Sequence, residues 1–466
     1  MSSDDAEGGP EKRARKDTLR LPRGFAQRGD PSAGALRAAL LRGAALWHEG
    51  LKRSQALQVP GLVVDQPIAA DTVLLRIPKE LHFSRPRCEE IFKNLYEACE
   101  ALPSADPEKR AEAADALCFA KVLQSCAAEK CTSTAQRECQ GPSTWPEAWG
   151  HVAATLLSNV EDFADHPYVA AWEGQRGRML RLTSTPLRRS ESCCDLLLPT
   201  GRMPQLCSAE PELIAAQAQY VRTVYGCLQS TVTEMPKELD EGLFAFSWLC
   251  LLTRRFRGPE GSALVPGVDF LNHSSKPNAA SEWDEASGSI VVTSLVDLQP
   301  GDEVCISYGN LSNPLLFRTY GFTLPCEFEP CCSCTFTQEE LVAGACAEAA
   351  TAQVQDLPNL HLNSSFVTDE LAELLQAYPS GAGKLLRLLC AERLEKMDEK
   401  SKELKISTST NHASHASRVL RSEYLCLRLH VQILDELAGQ PSETSTSAQD
   451  LKHELQLLHQ AGMLAV

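Results

Sequence analysis

The chain has 466 residues, of which 43% are hydrophobic, and its formal net charge is -16 at pH 7. This length accommodates two or three domains with substantial cores, and the composition is that of a mainly globular protein. The acidic balance argues against a nucleic-acid-binding surface, which needs clustered positive charge. It leaves open whether the surface attracts a basic protein or serves solubility alone.

The cysteine content and the N-terminal residues indicate the cellular compartment. The chain has 19 cysteines, an odd number, and its first residues contain neither a basic start nor an apolar segment. This pattern predicts free thiols in a reducing compartment, in the cytoplasm, the nucleus or both. The longest apolar run, Leu243–Leu252, is too short to span a bilayer. The basic segment Glu11–Lys16 is compatible with a nuclear address, although a solvated tail is the favoured interpretation.

The first half of the chain alternates between helical and strand patterns. Helical spacing predicts a helix over Ala35–Arg53, and short β-branched runs between Pro and Asp predict small antiparallel strands within Leu57–Ser84. Helical patterns follow from Cys88 to Gln140 and from His151 to Leu180. A long amphipathic helix is predicted over Pro211–Met235.

The second half returns to strands and then to helices. Leu239–Phe256 predicts a buried helix, and Gly288–Gly309 predicts two strands separated by a turn at Pro300 and Gly301. Ser312 is predicted to cap the helix that follows. From Thr337 onward the pattern is helical. Two strand-rich segments, 57–84 and 257–323, therefore flank a long helical insert.

Several motifs occur in a fixed order along these segments. They are "FSWLCLLTRRF", "LVPGVDFLNHS", "DLQPGDEVCISYGNLSNPLLFRTYGF" and, toward the C-terminus, "HASRVLRSEYLCLRLHVQILDEL". Together they resemble SET-domain protein methyltransferases, in particular the split-SET group that includes Rubisco large-subunit methyltransferase and the actin-histidine methyltransferase. The resemblance extends from about residue 45 to residue 437.

The resemblance implies an α+β fold. It predicts a SET β-fold of short antiparallel strands with a pseudoknot, a large helical insert and an all-α C-terminal substrate-binding domain. The expected organisation is a disordered tail (1–33), a SET domain (34–323, comprising 34–85, the insert 86–245 and 246–323), a helical substrate-binding domain (324–440), and a flexible linker with a short helix (441–466).

The resemblance also implies S-adenosylmethionine as cofactor. The implied binding residues are Pro60, Gly61, Arg254, Asp269, Asn272, His273 and Tyr308. The backbone of Asn272 and His273 and the Asn272 amide would bind its adenine and amino-acid parts. Asp269 would act with Arg254 at its carboxylate end, where a bidentate arginine contact is geometrically selective. Alternatively, Asp269 and Asn272 only form turns and Arg254 is a surface helix residue.

Tyr308 is the predicted catalytic residue, at the end of the strand in "EVCISY". An attacking lysine must be neutral, and its pKa of ~10.4 in water falls in an apolar channel beside a positive charge. The Tyr308 hydroxyl would orient the amine there. Tyr320 is predicted to be the second aromatic residue of the substrate channel. Phe256 and Phe270 either line the same channel or fill the core, and core filling is favoured.

Two features qualify the resemblance. The family's N-terminal cofactor loop carries Gly-x-Gly, whereas this chain has Val59, Pro60 and Gly61. The change leaves cofactor affinity open and keeps a non-catalytic protein-binding module as an alternative. Second, the cysteines of "CEFEPCCSC" invite a zinc site, but two of them are adjacent and the split-SET group lacks zinc. We therefore predict no metal.

The favoured function is S-adenosylmethionine-dependent N-methylation of lysine on a protein substrate. We expect a monomer that binds neither nucleic acid nor membrane. Histidine methylation remains an alternative, because an imidazole with a pKa of ~6.5 needs less desolvation to become a neutral nucleophile.

Overall fold

The protein is represented by a computed structural model. It describes residues 31–54, 60–100, 102, 106–127, 144–158, 166–168, 208–232, 241–259, 261–347, 351–379, 381–404 and 415–438. The basic segment Glu11–Lys16, most of the predicted N-terminal tail and the C-terminal segment 441–466 lie outside the described residues. No helix in the described part of the chain is long and apolar enough to cross a membrane.

The secondary structure mixes helices and short strands. The helices are α1 (Pro31–Arg42), α2 (Arg85–Ile91), α3 (Lys93–Glu100), α4 (Pro107–Ala127), α5 (Thr144–Ser158), α6 (Glu210–Thr231), α7 (Glu241–Arg254), α8 (Asn313–Tyr320), α9 (Gln338–Ala347), α10 (Thr351–Val354), α11 (Asp369–Ala377), α12 (Ala382–Leu404) and α13 (His415–Ala438). The strands are β1 (Leu46–Trp47), β2 (Leu51–Ser54), β3 (Gly61–Val64), β4 (Val73–Ile77), β5 (Phe83–Ser84), β6 (Arg255–Gly258), β7 (Gly261–Leu264), β8 (Asn272–His273), β9 (Ala279–Asp284), β10 (Ser289–Ser294), β11 (Glu303–Ile306), β12 (Ser333–Phe336) and β13 (Leu360–Asn363).

The chain divides into two compact units. One, here called the strand unit, comprises Met1–Arg87, Lys130–Thr155 and Arg255–Ser307. The other, here called the helical unit, comprises Cys88–Glu129, Leu156–Arg254 and Tyr308–Val466.

The described residues of the strand unit form three small sheets, which lie in the same unit as α1 and most of α5. Their strand orders are β1-β4-β10-β9, β2-β3-β11-β8 and β5-β7-β6. Every pairing in them is antiparallel except β8 with β11, where Asn272 lies opposite Cys305 and His273 opposite Ile306. The α+β class is therefore confirmed.

Helix α5 is anchored to the strand unit by tryptophan. The indole of Trp145 donates to the carbonyl of His82 at 2.9 Å, and the indole of Trp149 donates to the carbonyl of Leu81 at 2.9 Å. Both indoles also contact the ring of Phe83. These buried rings supply apolar area and satisfy two main-chain acceptors at once.

The predicted helix Ala35–Arg53 is wrong beyond Arg42. The chain leaves the helix at Gly43, where a Cβ atom would lie 2.9 Å from the Leu81 side chain. Ala44 then has φ 62° and reverses the chain into β1 and β2. Trp47, which fits a helical spacing, instead belongs to a strand and donates its indole N–H to the Leu51 carbonyl.

Other predicted elements agree with the structure. The strands predicted within Leu57–Ser84 are β3, β4 and β5, and those predicted within Gly288–Gly309 are β10 and β11. The two predicted long helices are α6 and α7. In the helical unit α7 is almost wholly buried, with Phe244 packed on Tyr225 and Trp248 packed on Tyr220 of α6.

The C-terminal region is helical, but the prediction that it is all-α is wrong. Strands β12 and β13 pair antiparallel, from Ser333 opposite Asn363 to Phe336 opposite Leu360. All four residues of β12 are buried, which explains why this short run forms a core strand. Ser312 stands at the N-cap position of α8, but its hydroxyl hydrogen-bonds with the Ser333 hydroxyl of β12. The predicted capping by its side chain is therefore wrong.

Candidate active site

In the strand unit, the apolar segment before β8 ends in a tight turn. Gly267 has φ +87°, and a Cβ atom there would lie 2.8 Å from the Trp47 ring, so the turn needs glycine. The backbone N–H of Gly267 donates to Oδ1 of the buried Asp269 at 2.9 Å. Asp269 therefore stabilises this turn. Its predicted joint role with Arg254, the last residue of α7, stays a prediction.

Asn272 connects β8 to β11 through its side chain as well as its backbone. Its Nδ2 donates to Oε1 of Glu303 at 2.7 Å. Burial raises the pKa of the Glu303 carboxyl, and the hydrogen bond from Asn272 works against that rise. Glu303 is a functional candidate that the sequence analysis missed. Its sequence signal is weak, because it is an acidic residue at the start of β11, close behind the turn at Pro300 and Gly301.

Asn278 is a second connection that the sequence analysis missed. Its Nδ2 donates to the Glu303 carbonyl at 2.8 Å, and its Oδ1 accepts from the Cys305 N–H at 2.8 Å. The Asn278 backbone N–H also donates to the Cys305 carbonyl at 3.2 Å. One side chain therefore satisfies main-chain groups of β11 that strand pairing would otherwise have to satisfy.

His273 lies opposite Ile306 of β11. Burial lowers the pKa of its imidazole, partly opposed by a hydrogen bond with the Ile306 backbone. Beside it on β11, burial raises the pKa of the Cys305 thiol to about 12. At neutral pH this part of the strand unit therefore presents a neutral imidazole and a protonated thiol.

Phe270 belongs to the core of the strand unit. Its side chain is 3% exposed, and the guanidinium of the buried Arg53 lies 4.6 Å from the ring centroid. Phe256, half-buried in β6, lies opposite Ala263 of β7. A channel role for the two phenylalanines stays a prediction.

Of the N-terminal loop, only the end is described. Gly61 is buried as the first residue of β3, opposite Ser54, and Pro60 before it is half-buried. Gln58 and Val59 lie outside the described residues. The cofactor-binding role of Pro60 and Gly61 therefore stays a prediction.

In the helical unit, three rings form what we call the aromatic cluster: Tyr308, Tyr320 and Phe322. The Tyr308 and Tyr320 ring centroids are 4.9 Å apart at 37°, and those of Tyr320 and Phe322 are 6.1 Å apart. Tyr308 follows β11 by two residues, and Gly309 after it has φ +124°. Burial raises the pKa of Tyr320, so this phenol stays protonated at neutral pH.

The cysteine-rich segment shows no metal-binding geometry. Within the described ranges, no group of three or more His, Cys, Asp or Glu side chains could hold a metal ion. Burial raises the pKa of Cys331 to about 11 and that of Cys332 to about 12. These thiols are protonated at neutral pH and fill space in the helical unit.

The SET domain family model matches residues 60–309. Because this match covers more than half of the sequence, the chain belongs to the SET-domain family.

Curated relatives match parts of the chain. N-lysine methyltransferase setd6 of Danio rerio is 26% identical over 195 residues, which is 38% of this chain and 40% of that protein. Protein-lysine N-trimethyltransferase SMYD5 of Danio rerio is 25% identical over 183 residues, covering 37% and 42% of the two chains. Ribosomal lysine N-methyltransferase set11 of Schizosaccharomyces pombe is 31% identical over 93 residues, covering 18% and 24%. Each match thus spans less than half of the relative's length.

Solved structures match nearly the whole chain. Rubisco LSMT bound to AdoMet has a TM-score of 0.54 at 15% sequence identity, covering 93% of this chain and 97% of that one. The SET domain of LSMT bound to lysine and AdoHcy also has a TM-score of 0.54, at 16% identity. At this identity the likeness concerns the fold, and the predicted LSMT-like fold is confirmed.

Proposed function

We propose that this protein transfers a methyl group from S-adenosylmethionine to a lysine side chain of a protein substrate. The observation that carries the proposal is the aromatic cluster, in which the Tyr308 ring packs against Tyr320 directly after β11 of a SET-domain chain. The three relatives described above are all named as lysine methyltransferases, which supports lysine as the acceptor.

The cofactor fits the donors and acceptors of the chain. S-adenosylmethionine carries two cationic groups and a carboxylate, so its site needs acceptors together with a cation. Within the strand unit, the half-buried β8 offers peptide groups beside the Glu303 carboxylate. The guanidinium of Arg254 is the cation proposed for the cofactor carboxylate. The residues proposed to hold it are Pro60, Gly61, Arg254, Asp269, Asn272, His273 and Tyr308. When bound, it supplies an electrophilic methyl group.

The residues of the chain are proposed to orient the acceptor amine and to lower its pKa, so that the amine is neutral when it attacks. We infer that the rings of the aromatic cluster exclude water from the bound amine, and desolvation lowers a lysine pKa from its value of ~10.4 in water. The Tyr308 hydroxyl is proposed to accept or donate a hydrogen bond that aims the amine lone pair. Tyr320 remains a neutral phenol because burial raises its pKa. Such alignment contributes through positioning rather than through an ionised catalytic group.

The remaining properties are proposals of the same kind. Residues 324–440 are proposed to bind the protein substrate, since they form the C-terminal part of the LSMT-like fold. We propose that the protein acts as a monomer in the cytoplasm, the nucleus or both, on a protein rather than on nucleic acid. The net charge of -16 is consistent with a basic substrate segment.

Two measurements test the function. Isothermal titration with S-adenosylmethionine should give saturable binding to the full-length protein. Incubation with S-adenosylmethionine labelled in its methyl group and a cell lysate should give a labelled protein band. Binding without label in lysates of several sources would point to an absent or fully modified substrate. Neither binding nor label would contradict the proposal and favour a non-catalytic binding module.

A further inference from the structure

The orientation of the aromatic cluster depends on how α8 ends. Tyr320 is the last residue of α8, and Gly321 follows as its left-handed C-cap with φ +82°. The Gly321 N–H donates to the Phe317 carbonyl at 3.0 Å. This glycine separates Tyr320 from Phe322, so a small rotation of the peptide groups here turns both rings.

A histidine from the insert packs against this turn. A Cβ atom built on Gly321 would lie 3.0 Å from Cδ2 of His166, so the imidazole occupies the space that a side chain at position 321 would need. Nε2 of His166 lies 3.0 Å from the Thr319 carbonyl oxygen, on the residue before Tyr320. His166 therefore touches the turn on both sides of Tyr320.

The hydrogen bonds of His166 define a single tautomer. The backbone N–H of Tyr168 donates to Nδ1 at 3.2 Å, so Nδ1 is the acceptor and the proton resides on Nε2. Nε2–H then donates to the Thr319 carbonyl. Burial lowers the pKa of His166 to about 4, so the ring stays neutral and keeps this tautomer at neutral pH.

We propose that His166 is a positioning residue for the aromatic cluster: by holding the Thr319 carbonyl and filling the space over Gly321, it sets the angle of Tyr320 against Tyr308. The hydrogen bond to Thr319 and the packing over Gly321 are sufficient for this positioning. Its consequence for catalysis rests on the proposed function, because it requires that the cluster receives the methyl acceptor.

Two substitutions separate the contacts of His166. In His166→Asn, Oδ1 replaces Nδ1 and still accepts from Tyr168, but the side chain is too short to reach Thr319. In His166→Gln, the amide Nε2 replaces the imidazole Nε2 and still donates to the Thr319 carbonyl. Comparison of the two variants therefore distinguishes loss of the hydrogen bond with Tyr168 from loss of the hydrogen bond to Thr319 of α8.

The first readout is ¹⁹F NMR of full-length protein that contains fluorotyrosine. The chain has 8 tyrosines, and Tyr320→Phe identifies the Tyr320 signal. We expect the Tyr320 signal to shift and broaden in His166→Asn and to remain near its wild-type position in His166→Gln. An unchanged Tyr320 signal in His166→Asn, or equal shifts in the two variants, would overturn the inference.

A second measurement uses the wild-type protein, so its result does not depend on whether a variant folds. ¹⁵N-histidine NMR of the wild type, with the His166 signals identified by their absence from His166→Gln, reports the protonated nitrogen directly. We expect Nε2–H throughout the neutral pH range. A proton on Nδ1 would contradict the proposed donation to Thr319 and so overturn the inference.

The catalytic consequence has its own readout. With a labelled band from the lysate assay as acceptor, His166→Asn should lower methyl transfer by about 10- to 100-fold, while His166→Gln restores most of it and cofactor affinity is unchanged in both. Equal loss in both variants would contradict positioning through Thr319. If the wild type transfers no methyl group, the proposed function fails, and the two NMR readouts still decide the role of His166.

Discussion

The side-chain amide of Asn272 donates a 2.7 Å hydrogen bond to the carboxylate of Glu303, across the parallel pair of β8 and β11. Both residues are half-buried, and the sheet holds them at a fixed separation. A charge-assisted bond in such surroundings is worth more than an exposed one. Changing one atom of this hydrogen bond should therefore lower the free energy of unfolding by a measurable amount.

Replacing Asn272 by aspartate should destabilise the protein by about 1–3 kcal/mol at pH 7, because a second carboxylate then faces Glu303. The double change Asn272→Asp with Glu303→Gln should recover most of this loss, since the glutamine amide can donate to the new carboxylate. Urea unfolding measures both values. As a control, Asn310→Asp adds the same charge at an exposed position and should have little effect. A double variant that is no more stable than Asn272→Asp alone would contradict the pairing.

Asn278→Ala should cost about 2–4 kcal/mol of unfolding free energy, because it removes both side-chain bonds to the β11 backbone. Hydrogen exchange should show the Cys305 amide losing protection. The matched control is Asn310→Ala, which truncates an exposed asparagine. Unchanged protection at Cys305 in the Asn278 variant would show that β11 does not depend on this side chain.

Glu423 on α13 should make stability depend on pH. It is fully buried, and burial raises its pKa from 4.5 to about 8, with Glu210 adding to the rise and Arg393 opposing it. Ser208 donates to its Oε1 at 2.9 Å, and Glu340 adds a further repulsion. The pKa of Glu423 is higher in the folded protein than in the unfolded chain. Its contribution to the free energy of unfolding is therefore fully present below pH 4.5 and is lost as pH rises to about 8.

Glu423→Gln should therefore flatten the decline of the melting temperature between these two pH values. The control Glu436→Gln changes an exposed residue of the same helix and should leave the decline as it is. Parallel curves for wild type and Glu423→Gln would show that Glu423 ionises as readily in the folded protein as in the unfolded chain.

Tyr308→Phe should lower the rate of methyl transfer by about 100-fold or more, because it removes the hydroxyl proposed to orient the amine. Cofactor affinity should change far less, since the ring and its packing on Tyr320 remain. The assay compares kcat with the dissociation constant from calorimetry. Tyr220→Phe, which removes a hydroxyl from a half-buried tyrosine of α6, is the control and should retain activity.

The local patterns of the sequence predict much of this fold. Alternation and turn residues give β10 and β11, and helical periodicity gives α6 and α7 close to their observed ends. The helix predicted over Ala35–Arg53 is too long because the helical spacing of Leu, Ala and Trp47 continues past Gly43, whereas Ala44 takes φ 62° and the chain enters β1. Strand β13 is missed because its partner β12 lies elsewhere in the chain, and isolated periodicity carries no signal of pairing.

The same limit applies to the site. Motif resemblance identifies Asn272, His273 and Tyr308 as candidates, but it does not identify what holds them. Glu303 meets Asn272, and His166 meets Thr319, across long stretches of sequence. Such contacts depend on tertiary structure, so residues of this kind are found from coordinates rather than from spacing.

The most direct test of the account is mass spectrometry of the protein band labelled by wild-type enzyme, with the Tyr308→Phe variant treated in parallel. We predict a methyl group on a lysine side chain in the wild-type sample and its near absence in the variant sample. Methyl-histidine would correct the acceptor while keeping the SET-domain chemistry. Equal labelling by the two proteins would contradict the assignment of Tyr308 and, with it, the proposed role of the aromatic cluster.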